Sequence, residues 1–137
     1  MTAKNRILGT LAGTVVLFLL GWVFYGMLLM DFYANNVGSA GNVMRADDDM
    51  IWWALILGNL FQAYFLVYVF SKFDVTSFGE GLKQGIYIGL ILGLGFNLIM
   101  YGTSNMSTLT SALVDPIVSA VMMGITGGVI AVITGKK

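Results

Sequence analysis

Long apolar runs alternate with short polar breaks along this chain, and the runs are similar in length. They cover about residues 7–30, 50–70, 78–102 and 115–134. A hydrocarbon layer about 30 Å thick needs roughly 20 apolar residues in a helix, so each run is long enough to cross it. Within lipid every backbone amide and carbonyl must find a partner inside its own segment, which selects helices. The ten-residue apolar–polar alternation of a barrel strand is missing. The pattern therefore predicts an all-α integral membrane bundle of four transmembrane helices in a single domain, with external loops at 31–49 and 103–114.

Charge then sets an orientation. With four spans, Lys4, Arg6, Lys72, Lys83, Lys136 and Lys137 share the side of both termini, and Arg45 alone lies opposite. Basic residues favour the cytoplasmic side, so both termini are expected in the cytoplasm. Lys4 and Arg6 before an apolar run resemble a signal peptide. The run continues through LLGWVFYGMLLM without a small-x-small cleavage site, however, and reads as an uncleaved span. Trp52, Trp53, Phe32 and Tyr33 fall at the outer aromatic belt, with Tyr68, Phe70 and Phe73 at the inner one.

Composition narrows the chemistry. The chain is 58% hydrophobic and only 10% charged, against about 25% charged in soluble domains, which makes the lipid bilayer its first partner. A net charge of zero argues against nucleic acid, whose phosphates need a basic field. Cys and His are both absent, so the usual zinc, haem and nucleophile–base constellations cannot be built. The expectation is a protein that is not an enzyme, with no cofactor and no metal. Asp31 with Asp115 is the one carboxylate pair that could act.

The breaks carry helix-start signals. Asp47, Asp48 and Asp49 precede the second span and suit the positive end of its helix as a solvated cap. Ser77 and Glu80 fit a capping box for the third. Asp115-Pro116 reads as N-cap and first helical residue of the fourth. If that span begins near Ser111 instead, Asp115 is buried and Pro116 kinks the first turn. Asp31 closes the first span, at the helix pole that disfavours a carboxylate, and Arg45 or a continuation of the helix to Asn35 could offset it.

Small residues recur at helical spacing. Gly81, Gly85, Gly89 and Gly93 step by four along the third span. Glycine costs a helix about 1 kcal/mol relative to alanine. Between helices in lipid, however, association depends on close packing, which small residues permit. The fourth span offers Ala120, Gly124 and Gly128 at the same spacing, and the first offers Gly9 and Gly13. A four-residue step drifts by about 40° around a helix, which suits a right-handed crossing. The third span is thus expected against the fourth within one chain, or against its copy in a homodimer.

Intramembrane polar groups are costly and point into the bundle. Asn59 and Gln62 lie three apart in the second span, and Asn97 continues the glycine step in the third. Asn59, Gln62, Asn97 and Asp115, with Tyr25 or Tyr101 at the rim, are either interhelical glue or a ligand-binding pocket open to the outside.

The stretch Phe24-Tyr25-Gly26-Met27-Leu28-Leu29-Met30-Asp31-Phe32-Tyr33 resembles a motif of a bacterial membrane family, domain of unknown function 1761. Its members carry a W-Y-G-x-L-F-G-K-x-W type segment. Tyr25, Gly26 and Leu28 match, and Phe24 and Tyr33 exchange one aromatic for another. Asp31 stands in place of Lys, and Met30 in place of the second Gly. The resemblance implies a small four-helix membrane protein and no particular activity. A small-ligand or ion binder or transporter, working as a homo-oligomer, is the expected function. The alternative is an accessory subunit of a larger membrane complex.

Overall fold

The fourth apolar run forms the middle of the molecule. The computed structural model describes residues 1–41 and 43–136; Asn42 of the first loop and Lys137, counted above among the basic residues, lie outside the described residues. Helix α1 (Ala3–Val23) runs into a π-helical segment (Phe24–Leu28) and then, after Leu29, into the short α2 (Met30–Ala34). The remaining long helices are α3 (Trp52–Phe73), α4 (Phe78–Thr103) and α5 (Leu109–Thr134). Among the described residues there is no strand. Four helices are long and apolar enough to span a membrane, the first of them α1 with its π-helical extension.

Helix α5 is the most buried and packs on α1, α3 and above all α4. The core beneath it is Leu17, Leu66, Val67, Phe70, Ile130 and their neighbours. The outer faces are apolar too: Ile7, Leu11, Val15, Leu19 and Trp22 form an exposed stripe along α1. Apolar patches of that extent are rare on water-soluble monomers and are what a lipid-facing surface requires.

The helices alternate in direction. The Asn5 side chain donates to the Lys136 carbonyl, and the α3–α4 turn lies beside Gly135, so both termini and that turn share one end. Lys4, Arg6, Lys72, Lys83 and Lys136 belong to this end, and Arg45 to the other.

Three cap expectations change. Helix α5 begins at Leu109, not Asp115, because Thr108 and Ser111 form a reciprocal capping box there: Ser111 N donates to Thr108 Oγ1 (3.2 Å) and Thr108 N to Ser111 Oγ (3.1 Å). Asp115 and Pro116 therefore lie inside the helix, and the loop before it shortens to five residues, 104–108. Asp47–Asp49 form an exposed 3-10 turn instead of a cap, and α3 starts from Ile51 without a side-chain bond. Arg45 pairs with Asp49 at 3.5 Å. Asp31 lies in the first turn of α2, the favourable pole of a helix, because the chain breaks at Leu29. Ser77 does cap α4 through the Glu80 amide (3.3 Å), and the Glu80 carboxylate accepts from Thr76 N (3.3 Å).

At the end opposite the termini, the α2–α3 loop is fastened to the start of α5. Thr108 Oγ1 donates to Asn36 Oδ1 (2.9 Å), and Ser111 Oγ and Thr108 N donate to the Asn36 carbonyl (3.2 and 3.3 Å). Gly38, at φ +71°, allows the chain to pass against the Asn105 carbonyl, which also accepts from Ala40 N at 3.0 Å. An alanine there would pay about 1–2 kcal/mol for the left-handed backbone and its Cβ would overlap that carbonyl. Gly38→Ala is expected to free this loop, seen as faster hydrogen exchange at Ala40 and Thr108 with exchange in the α4–α5 core unchanged.

The glycine step is used within the chain, in a register one residue from the expected one. Gly81 lies against the Gly127 carbonyl, Gly85 against Met123 and Gly124, Gly89 against Ser119 and Ala120, and Gly93 against Pro116. The α5 row that meets the glycines is thus Gly127, Met123 and Ser119, and Asp115, four residues before Ser119, meets Asn97. Of the expected row, Ala120 and Gly124 touch Gly89 and Gly85 through their Cα atoms, while the missing Cβ groups of Gly124 and Gly128 leave room for the side chains of Ile86 and Phe78. Gly127 of α5 returns the contact by making room for the Gly81 carbonyl, and Gly85 and Gly89 of α4 make room for Met123 in the middle of the row. Gly9 and Gly13 serve a different junction, against Thr134 and Ile130 of α5 and Val67 and Ala63 of α3.

Candidate functional site

Followed one step further, the glycine row leads from backbone contact to polar chemistry. Asn97, on the same face as Gly93, donates to Asp115 Oδ2 at 2.9 Å and to the Gly93 carbonyl at 2.8 Å. The other carboxylate oxygen accepts from two phenols: Tyr25 Oη at 2.8 Å and Tyr33 Oη at 2.6 Å. Asp115 thus accepts three hydrogen bonds from groups that carry no charge. No basic side chain pairs with it among the described residues.

The backbone explains how two tyrosines eight positions apart reach one oxygen. Leu29 N bonds the Phe24 carbonyl (2.8 Å), five residues back, which closes the π turn. Such turns widen a helix locally and are frequent at functional sites. The break at Leu29 then starts α2 in a new direction, and Asn36 anchors its end. The rings of Tyr25 and Tyr33 stack at 5.1 Å, tilted by 49°. Burial, and then the hydrogen bond to Asp115, push the Tyr33 phenol above its ordinary pKa, so it stays a donor.

These groups close one side of a cleft of about 600 Å³. Its floor is Asp115, Ser119 and Met123 of α5 with Tyr25, and its walls are Phe61, Gln62 and Phe65 of α3 and Gly89, Leu92, Gly93, Phe96 and Asn97 of α4. Three of the six sequence-predicted ligand residues, Tyr25, Asn97 and Asp115, therefore meet, and Gln62 faces the same cleft without touching them. Asn59 and Tyr101 do not line it. Asn59 is half-buried a three-residue step from Gln62, and Tyr101 is exposed beyond the rim.

Sequence reasoning assigned Tyr33 to the aromatic belt and passed over Ser119. The signal for Tyr33 lay in the Phe24–Tyr33 stretch, which in this chain contains both phenols that bond Asp115, although the motif it resembles has Trp in the place of Tyr33. Tyr33→Phe removes one donor of three. Interhelical hydrogen bonds in membranes average about 0.6 kcal/mol, with a maximum near 1.7, and a carboxylate acceptor belongs at the upper end. A loss of about 1.5 kcal/mol is expected in detergent-induced unfolding; an unchanged midpoint would mean that Tyr33 does not hold Asp115.

In comparison with known proteins, a family model described as a protein of unknown function (DUF1761) matches residues 8–131. No curated protein and no solved structure matches the chain.

Proposed function

This chain belongs to the DUF1761 family of proteins of unknown function, and we propose that it is a non-enzymatic binder or carrier of a small ligand, with the Asp115 cleft as its site. The observation that supports this reading most is a carboxylate inside a spanning helix with three neutral donors and no cationic partner among the described residues. Structural glue needs only matched donors and acceptors. A charge held in lipid without its counter-ion is expensive and is worth retaining where a ligand supplies the opposite charge. An acidic side chain without a basic partner among the described residues is also what distinguishes this cluster from the Asn36–Thr108–Ser111 network, which has no acidic member.

In this reading both termini face the cytoplasm of a bacterial inner membrane, because the basic residues gather at their end. The Asp115 end then faces outward. Asn59 and Tyr101 have no part in the site. Neither His nor Cys is available, and the cleft holds a single carboxylate, so binding and not acid–base chemistry is its task.

The test is a thermal-shift screen of the purified chain in lipid nanodiscs against small inorganic cations, amines and neutral polar solutes. A ligand at 100 times its Kd stabilises by about 2.7 kcal/mol. At least one solute is expected to raise the Tm of the wild type and to lose that effect in Asn97→Ala. If none does, the second reading takes over: an accessory subunit of a larger complex, supported by extensive exposed apolar surface, the α4 glycines being already used against α5. That reading predicts co-purification with a partner in mild detergent, and a chain that always runs alone counts against it.

A further inference from the structure

The way into the cleft constrains what enters it. Helices α3 and α4 are consecutive and joined by the turn at 74–77, yet they hardly touch; α3 packs on α1, and α4 on α5. The gap between them is the mouth of the cleft. Gln62 lies at the middle of α3, and Asp115 lies six residues into α5, roughly 9 Å below its start at 1.5 Å per residue. In a bilayer, an opening between two spanning helices at that depth faces acyl chains and not bulk water. Its edges match that solvent: Phe61 and Phe96 are each 67% exposed, with Phe65 and Leu92 also exposed beside them.

The floor is selective in a complementary way. Asp115 Oδ1 already accepts two hydrogen bonds and Oδ2 one, so few lone pairs remain for a ligand. A hard inorganic cation such as calcium asks for six to eight oxygens (about 2.3–2.6 Å away), which this floor does not offer. An organic cation needs only one facing carboxylate and gains further from aromatic faces. Phe61, Phe65, Phe96 and Tyr25 place four rings in the lining of the cleft that holds this carboxylate.

Resting on the reading of the Asp115 cleft as a ligand site, we propose that its ligand is a lipophilic organic monocation, an alkyl- or aryl-substituted ammonium or its equivalent. It enters from the bilayer between α3 and α4. Its charge lies against Asp115, and its apolar body lies between the phenylalanines of the two walls. Charge complementarity fixes the single positive charge, and the mouth fixes the lipophilicity.

Radiolabelled tetraphenylphosphonium, titrated onto the full chain in nanodiscs with protein-free nanodiscs as background, tests the assignment. Saturable binding is expected, at least tenfold weaker in Asp115→Asn and in Gln62→Trp, and undisturbed by millimolar tetramethylammonium or potassium. Gln62 is an exposed position, so the tryptophan narrows the mouth while the core stays intact; this variant carries the test even if Asp115→Asn folds poorly. Full-strength binding in Asp115→Asn, or in a folded Gln62→Trp, would overturn the proposal. Binding of hydrophilic solutes but not of tetraphenylphosphonium would overturn it while leaving the ligand site in place. No binding of any probe would remove both. The chain has no native cysteine, so Phe96→Cys is a clean reporter. Cross-linking of that cysteine to a second copy, with loss of probe binding, would show the cleft to be a protomer interface and would also overturn the assignment.

Discussion

Replacing Gly85 by alanine is expected to cost roughly 2–3 kcal/mol of stability, within the range for overpacking a tight interior, whereas the same change at Gly95 is expected to cost nothing. An alanine Cβ at Gly85 would overlap the Met123 carbonyl and lie 2.9 Å from Gly124 Cα. Those are backbone atoms of the most buried helix and cannot rotate away. The two helices would have to separate, and in lipid their attraction is mostly the close contact itself. Gly95 has nothing within 4 Å of where a Cβ would lie, and alanine there recovers up to about 1 kcal/mol of helix propensity. Unfolding of both variants by SDS in mixed micelles measures the difference. The effect reaches the site, because Gly85 and Asn97 share one face of α4: as α4 moves off α5, the Asn97–Asp115 bond lengthens. Equal stabilities for the two variants would contradict the α4–α5 packing described above.

The second large effect concerns Asp115, where binding and stability are expected to part. Asp115→Asn keeps the shape and an oxygen for the two phenols, and Asn97 can turn its own amide oxygen toward the new side chain. Stability should therefore change by less than about 1 kcal/mol, given the modest worth of single hydrogen bonds in membranes. Removing one partner of a desolvated charge pair costs about 2–5 kcal/mol in a binding site, so ligand affinity should fall at least tenfold. Glue would give the reverse, a destabilised chain with no binding to lose. Thermal unfolding and ligand titration on the same nanodisc preparation separate the two.

The spans were legible because lipid leaves the backbone so few choices. The start of α4 was legible too, since Ser77 and Glu80 act locally. The start of α5 was not. Asp115-Pro116 and Thr108–Ser111 are both acceptable starts in local terms, and the earlier one forms because Asn36, seventy-two positions before Thr108, supplies acceptors that hold it. Asp115 then passes from cap to the interior of the helix, and the alternative meaning of the residue becomes the relevant one. The glycine series pointed to α5 but not to its register. Spacing by four describes the rows 115–127 and 120–128 equally well, and the choice depends on which backbone atoms the glycines can approach. Tyr33 was hidden for a related reason: only the π turn and the break at Leu29 bring it onto the Asp115 oxygen shared with Tyr25.

A map of the protein determined in lipid, with bound molecules retained, tests the central claim most directly. Such a map is expected to show α3 and α4 apart, the Tyr25, Tyr33 and Asn97 bonds converging on Asp115, and non-protein density in the cleft ending at that carboxylate. Helix α3 closed onto α4, or a helix of another chain filling the gap, would contradict it.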